Sequence, residues 1–519
     1  MVGAGRIGMQ LAAYLIREKN DVAIIESDEE RARHASNRLD CLVLQDEGNS
    51  LRSLEEAGIA RADALVCTTE SDEVNMIICG IAETRYPKLV KIACVRREDY
   101  LTLNRQGSGA SGIYQSPEIL GIDFFIHPDV EASRAALNAI EHGAIGDVLS
   151  FAGADYQLGS IEIVKNSALD GLSLRNYRDV VTGETLVTLI ERGGGSILPD
   201  GSTVFRQGDR VHILAKGKEL RRVFELGGNE EHTLNKIGIA GGGEICRLIA
   251  ESLLHSGSSG GNSNDSGISS IFRQKAKSFP SFFNGVLKKG KRNVVLIEND
   301  YALSKELAAH FPGALVLNED ISDESFIAEE SLNSLDLIVT TTDNQELNII
   351  TALYLKSCGV KRAIAMVKND GYGAIARRLG VDVVISIKSV VVDAILSRLM
   401  GGGITGIHRL GGGAIDIFEM EIKAGMPVID HPITTFRLTN GGLLMHVNRS
   451  GKSFIPRGDY IFKAGDRVVL IVKNGSEREM EQFFGTTRQM THQMTHHLQP
   501  PVGDDAAMAE NPSFNISRP

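Results

Sequence analysis

Tryptophan is absent, and aromatic residues make up only 5% of the 519 positions. Modules that stack nucleic-acid bases on exposed rings are therefore poorly supplied. Positive charge is in deficit as well. The formal net charge is −11, so the surface as a whole disfavours a phosphate backbone, and no nucleic-acid partner is expected. Cysteine is scarce and scattered. The six thiols at 41, 67, 79, 94, 246 and 358 form no C-x-x-C pair, which argues against a zinc site and a disulfide framework. Reduced thiols buried as small hydrophobes in a cytosolic protein fit better. Long apolar runs are missing too. A spanning helix needs about 18 to 20 such residues, and the nearest approach, residues 381–399, is interrupted by Lys388, Asp393 and Arg398. A secretory leader is also lacking, because only Met1 and Val2 precede the first glycine motif.

Glycine, by contrast, is abundant: 55 residues of 519, against a usual share of about 7%. Such an excess marks tight turns and close backbone approaches. The length predicts three or four domains, and internal repetition arranges them. Gly3, Ala4, Gly5, Arg6, Ile7 and Gly8 match Gly241, Gly242, Gly243, Glu244, Ile245 and Cys246. Residues 24–28 match 296–300, centred on Glu26 and Glu298. Residues 66–75 match 339–348, so that Thr68 and Thr69 recur as Thr341 and Thr342. Near the end of each half, Gly208, Asp209, Arg210 and Val211 recur as Gly465, Asp466, Arg467 and Val468. Four matches in one order make the chain a tandem duplication. The offset grows between the first and third match, so the second half carries an insertion, residues 256–292.

Each half has two parts. In the first, residues 22–25, 41–44, 64–67 and 90–94 read as buried strands, and 29–38, 51–57 and 72–84 as the helices between them. That rhythm predicts the α/β class: a Rossmann-like, doubly wound parallel sheet. The second part shows short β-rich runs, among them 160–164, 185–190 and 211–214, broken by Gly, Asp and Pro. It reads as a small α+β module. The expected domains are 1–127, 145–228, 235–386 (with the insert) and 404–486, followed by a disordered tail at 487–519. The insert opens on Ser, Gly and Asn, a flexible linker composition. It then carries Arg273, Lys275, Lys277, Lys288, Lys289, Lys291 and Arg292 with four phenylalanines. Contact with anionic lipid or a channel and a solvated loop are both open readings.

A G-x-G-x-x-G motif is weak alone; its context decides. A dinucleotide site needs a tight turn at Gly3, close approach of pyrophosphate at Gly5, and helix–strand packing at Gly8. The helix starting near Arg6 would offer amides and dipole to phosphate. Glu26 lies where an acid can accept from both ribose hydroxyls and repel a 2′-phosphate, so NAD or an adenosine nucleotide fits better than NADP. In the second half Glu298 keeps the acid, while Cys246 in place of the third glycine should wedge helix and strand apart or be absorbed by repacking. The first half has only Met1 and Val2 where the second has a plausible strand, residues 236–240. Its central strand is therefore expected to be short, with its true start upstream.

Competing motifs are poorly placed. Tyr301 and Lys305 have the spacing of a dehydrogenase pair, too early in the fold to face a nicotinamide. Gly451, Lys452 and Ser453 resemble the end of a P-loop whose earlier glycine is replaced by His446. His492, His496 and His497 sit in the tail, where solvated histidine is the better reading than metal ligation. No convergent catalytic set accompanies the nucleotide site, which suggests a sensor and not an enzyme.

These residues resemble the RCK (regulator of K⁺ conductance) family: the Gly3–Gly8 motif, the Glu26 strand, Thr68 and Thr69 with the run to Asn75, then Arg96, and a second module with its Gly-Asp-Arg-Val. Two such pairs in one chain resemble regulatory subunits of bacterial Trk-type potassium uptake. The resemblance covers about 1–226 and 236–485, and the insert departs from it. It implies NAD(H), and in many members ATP or ADP, in the N-terminal domains. It implies a homo-oligomer, dimer or tetramer, peripheral on the cytoplasmic face of the plasma membrane, gating a TrkH-like potassium channel or transporter subunit. Carried over by motif, Gly3, Ala4, Gly5, Arg6 and Ile7 would line the pyrophosphate and Glu26 the ribose. Thr68 and Thr69 would lie beside the dinucleotide, and Arg96 would meet phosphate. The second-half matches are Gly241, Gly242, Gly243, Glu244, Ile245, Glu298, Thr341 and Thr342, with Lys368 near the place of Arg96. The rivals are an NAD-dependent cytosolic oxidoreductase and a regulator of another cation transporter.

Overall fold

The computed structural model describes residues 1–484, apart from 18, 98–99, 101–119, 142, 145–147, 152–154, 182, 229–233, 256–291, 324–325, 327–328, 400–403, 411–414, 436–440 and 474–482. The basic insert up to residue 291 and the tail with its three histidines lie outside the described residues.

In the first half β1 (Ala23–Glu26) pairs with β2 (Leu42–Gln45), and β3 (Ala64–Cys67) with β4 (Val90–Cys94) and β5 (Phe124–Ile126), all parallel. Val2 bridges both groups, pairing with Ile25 and Cys67. It donates to Val66 O and accepts from Thr68 N, each at 2.9 Å. One residue thus fills the central strand position, which is the short strand the sequence implies. Helices start where polar side chains take their orphan amides. Asp28, Ser50 and Ser71 accept from Arg31 N, Ser53 N and Val74 N at the starts of Glu29–Arg38, Leu51–Glu56 and Asp72–Arg85.

The first small module is an antiparallel sheet of β6 (Val148–Ser150), β7 (Tyr156–Glu162), β8 (Thr185–Arg192), β9 (Gly195–Ile197) and β10 (Arg210–Lys216), in the order β6-β7-β10-β8-β9. The strand expected over residues 160–164 runs instead over Tyr156–Glu162. Gly159 looks like a breaker but is a strand residue. A Cβ there would fall 2.6 Å from Phe224 Cζ, so glycine lets the helix Gly217–Leu226 lie close. The repeated Gly-Asp-Arg-Val supplies an anchor. Buried Asp209 takes both Arg192 Nε and Nη2, at 2.7 and 2.6 Å.

In the second half β11 (Lys236–Ala240), β12 (Asn293–Glu298), β13 (Leu315–Asn318), β14 (Leu337–Thr340), β15 (Arg362–Val367) and β16 (Val383–Ser386) form one parallel sheet, order β13-β12-β11-β14-β15-β16. This is the doubly wound order whose switch point, between β11 and β14, opens a crevice at the strand C-termini. The second module repeats the first with β17 (Ile404–Leu410), β18 (Ile415–Glu421), β19 (Gly442–Arg449), β20 (Lys452–Phe454) and β21 (Arg467–Lys473). Its Asp466 takes Arg449 Nε and Nη2, both at 2.7 Å.

The halves exchange their closing helices. Pro128–Glu141 of the first half puts Ala132, Ala136, Leu137 and Ile140 into the core of the second, with Ile237, Ile239 and Ile249. Ile387–Leu399 of the second puts Val391, Val392, Ile395 and Leu396 into a core with Leu11, Tyr14, Val66 and Ile92 of the first. The two small sheets also share a core, Tyr156, Leu158, Leu189 and Leu214 against Ile415, Ile417, Met445 and Ile471. At about 1.5–3 kcal/mol per fully buried aliphatic side chain, these shared cores hold the four domains together.

Candidate functional site

The first crevice is built around Gly3, whose φ of +99° carries the chain out of the sheet. A Cβ on Gly3 would stand 3.0 Å from the Thr68 carbonyl, and one on Gly8 2.1 Å from Gly3 O. Those two glycines are demanded by backbone shape and by helix–strand contact. Gly5 is different: a Cβ there would meet nothing within 4 Å, and its φ is not positive. The helix Arg6–Arg17 starts directly after it, its amides directed at the open side of the loop.

Glu26 closes the loop from the end of β1. Its Oε2 accepts from Ala4 N at 2.6 Å and its Oε1 from Asp28 N at 3.0 Å. The carboxylate expected at a ribose thus also fixes the glycine turn, with lone pairs left for hydroxyl donors. Thr68 Oγ1 donates toward Val2 O at 3.3 Å and Gly3 O at 3.4 Å. Thr69 is clamped by Asn75, whose Oδ1 accepts from Thr69 N at 2.9 Å and Oγ1 at 2.7 Å. Asn75 Nδ2 then donates to Cys94 O at 2.8 Å, tying the threonine loop to β4. Arg96 reaches the same rim. Its amide donates to the buried Asp72 at 2.8 Å and its Nη1 to Glu70 O at 3.0 Å.

The second crevice repeats this plan. Gly241 has φ +101°, and a Cβ on Gly243 would meet nothing within 4 Å. Glu298 accepts from Gly242 N at 2.5 Å and Asp300 N at 2.8 Å. Thr341 Oγ1 donates to Ala240 O at 3.0 Å. Asn348 holds Thr342 N and Oγ1 at 3.0 and 2.6 Å and donates to Met366 O at 3.0 Å. Lys368 donates its amide to Gln345 at 3.0 Å, and its Nζ lies 3.6 Å from Asp343. Cys246 is fully buried within the core that the exchanged helix completes. Burial pushes its thiol up to about 12, so it packs as a neutral hydrophobe. Of the two outcomes expected for this residue, the one seen is absorption into a repacked core.

Every motif residue in each half therefore gathers at one sheet end: loop, acid, threonine pair and cation. Sequence reasoning passed over Asn75 and Asn348, although both end the longest repeated run, and over Asp72. It also passed over contacts between halves. Gln10 Nε2, on the first loop helix, donates to Asp370 at 3.2 Å and to Ser389 Oγ at 3.4 Å, and within the second half Ser389 Oγ donates to Asp370 at 2.7 Å. The competing motifs fall elsewhere. Tyr301 is 71% exposed at the start of the helix Tyr301–His310. Gly451 is a turn with φ +83° between β19 and β20, so no helix follows it to face a phosphate. Among the described residues no group of three or more His, Cys, Asp or Glu is placed to hold a metal. No described helix is long and apolar enough to cross a membrane.

Comparison with known proteins matches this architecture. The TrkA-N domain model fits residues 1–115 and 284–387, and the TrkA-C domain model fits 158–227 and 417–485. The Trk system potassium uptake protein TrkA of Halomonas elongata is 27% identical over 93% of this chain and 98% of its own. That of Azorhizobium caulinodans is 25% identical over 93% and 97%. Among solved structures, the GsuK channel is similar with a TM-score of 0.51 at 16% identity, covering 93% of this chain and 77% of that one. The GsuK channel bound to NAD gives 0.50 at 15% identity, covering 93% and 78%.

Proposed function

This chain belongs to the family of tandem TrkA-N and TrkA-C domain proteins, and from that premise we propose that it is the nucleotide-binding regulatory subunit of a Trk-type potassium uptake system. NAD(H), and ATP or ADP as competitors, bind at the strand ends. Gly3, Gly5 and the first amides of Arg6–Arg17 take the pyrophosphate, Glu26 the ribose and Arg96 an outer phosphate. The observation that carries this reading is Gly5. Neither its φ nor any neighbour requires glycine, so what its missing side chain clears is the space in front of a helix N-terminus. An enzymatic role is disfavoured because Glu26, Thr68, Thr69, Asn75 and Asp72 are all bonded to main chain. They are spent on loop shape and not aimed at a transferable proton.

Regulation follows as a population shift. The exchanged closing helices couple each crevice to the other half, so a ligand that fits one relative placement of the halves better favours it in proportion to that difference. A TrkH-like membrane potassium channel or transporter subunit, with this chain peripheral on its cytoplasmic face, reads the placement. Further copies of the chain meet at a repeated apolar patch. Ile77 is 51% exposed and its match Ile350 64%; Leu120, 45% exposed, and Leu379, 60%, recur likewise. Ile77→Asp with Ile350→Asp should lower the solution mass by light scattering, and an unchanged mass overturns that surface. For the site, Glu26→Ala should weaken NAD(H) or ATP binding at least tenfold and remove the nucleotide response of potassium flux through the partner channel. An unchanged response overturns the first crevice as the regulatory site.

A further inference from the structure

Each loop helix packs on a helix lent by the other half, but one crossing is polar and the other is not. In the first, Gln10 lies about one turn on from Arg6, where the helix Arg6–Arg17 begins. Its Nε2 donates to Asp370 Oδ2 at 3.2 Å and to Ser389 Oγ at 3.4 Å. By the repeat, Gln10 and Ser389 match Leu248 and Val130 at the second crossing, and both of those are buried. An amide thus stands where the other half shows that an aliphatic side chain fits. Gln10 Oε1 is also buried with no donor against it. An unsatisfied acceptor carries a desolvation cost that leucine would avoid, so packing does not account for the glutamine.

Asp370 does not depend on Gln10 either. Ser389 Oγ donates to its Oδ1 at 2.7 Å, and Lys388 Nζ lies 3.6 Å from its Oδ2. Burial raises the Asp370 carboxyl, but Ser386, Ser389 and Lys388 outweigh it and hold it below its usual range. Gln10 therefore adds a bond from the other half to a carboxylate already charged and paired within its own. That carboxylate is the first residue of the helix Asp370–Leu379, whose outer face exposes Tyr372, Ile375 and Leu379. A helix is stiff over a single turn. A ligand that fixes the first amides of Arg6–Arg17 also fixes Gln10, and through it the start of the helix Asp370–Leu379.

We propose that Gln10 is a positioning residue, which carries occupancy of the first crevice to the helix Asp370–Leu379 of the other half. The second crevice, with Leu248 and Val130 at the matched positions, lacks this link. The inference rests on the nucleotide-binding reading above. It adds the route by which the first crevice acts on an exposed apolar face that contains Leu379.

Hydrogen exchange read by mass spectrometry on the full chain, with NAD and ATP as probes, tests it, because amide protection reports local opening. At saturation, a probe that binds should slow exchange at least threefold over residues 371–379 as well as over the loop and first turn at 3–9. Gln10→Leu copies the second half, so it should fold. It should bind the probe within threefold of the unsubstituted chain by calorimetry, keep the slowing at 3–9, and lose it at 371–379. Gln10→Glu alone sets two carboxylates together and should lose it as well. Gln10→Glu with Asp370→Asn exchanges donor and acceptor and should restore it, which a merely structural role would not do. Slowing at 371–379 that persists in Gln10→Leu overturns the proposal, as does its absence from the unsubstituted chain with probe bound. Loss of binding in Gln10→Leu also overturns it, since Gln10 would then belong to the site. All three leave the nucleotide reading standing. Failure of both probes to bind the unsubstituted chain overturns the two together.

Discussion

The two parallel-sheet domains reach one crevice geometry from different packing. In the first, Ala4 and Ala35 share a small core with Ala12 and Ile24. In the second, the matched residues are Gly242 and Leu307, and a Cβ on Gly242 would fall 2.8 Å from Leu307 Cδ1. A methyl withdrawn from the loop is matched by carbon added to the helix. The third fingerprint position shows the opposite trade: Gly8 where a side chain would strike Gly3 O, Cys246 where a core completed by the other half's helix accommodates it. The shape of a phosphate-type loop is thus set by the summed volume around it and not by each glycine separately. A departure from the fingerprint is evidence of repacking before it is evidence of decay.

The harshest way to break the comparison is to exchange the third position. Gly8→Cys places a Cβ 2.1 Å from a backbone oxygen that cannot swing away. It should cost about 3–5 kcal/mol, at the severe end of single substitutions, and abolish nucleotide binding in the first crevice. Cys246→Gly should cost only about 2 kcal/mol, from helix propensity and lost burial together, and leave the second loop in place. Urea unfolding of the two variants measures this; equal costs would mean that the exchanged helix does not adapt the second core.

The small modules carry a second mismatched pair, Leu189 and His446, at the core the two sheets share. His446 is 1% exposed, its Nε2 has no hydrogen-bond partner, and its ring centroid lies 5.2 Å from that of Tyr156. Burial, outweighing the nearby Asp155 and Glu419, lowers its pKa to about 4. The folded chain therefore holds the neutral ring while the unfolded chain protonates near 6.5. Stability is intact above about pH 6.5 and falls as the pH drops toward 4, by on the order of 3 kcal/mol. His446→Leu, which copies the first module, should flatten that dependence and raise the midpoint at neutral pH. A pH profile of thermal unfolding unchanged by the substitution would show that the ring is not the titrating group.

Much of this was legible before any coordinates. The strands Ala64–Cys67, Val90–Cys94 and Lys236–Ala240 and the helix Glu29–Arg38 stand where the sequence placed them, because a continuous apolar run or a capping Asp marks each end locally. The loop, acid and threonine pair were legible because they are written twice at matching spacing. What could not be read depends on partners distant in sequence. Nothing around residues 128–141 says that its alanines will pack in the other half. Gly159 gives no sign that Phe224 lies over it. Asn75 looks like any polar residue on the helix Asp72–Arg85 until the loop folds back onto it.

The finest discrimination comes from the pair that opened the comparison, Gly242 and Leu307. If the leucine is what requires the glycine, the two substitutions that recreate the first half must be coupled. Gly242→Ala alone overpacks the site and should cost about 1–3 kcal/mol. Leu307→Ala alone opens a cavity in a fully buried position and should cost about 2–5 kcal/mol. Together they restore the alanine pair of the first half, so the double variant should be more stable than the sum of the singles predicts, by about 1 kcal/mol. The same cycle run on Ala4→Gly and Ala35→Leu should show coupling of the same sign in the first half. Strict additivity in the second half would mean that Leu307 does not require the glycine, and that the loop is positioned by its hydrogen bonds, Gly242 N to Glu298 and Thr341 Oγ1 to Gly241 O among them.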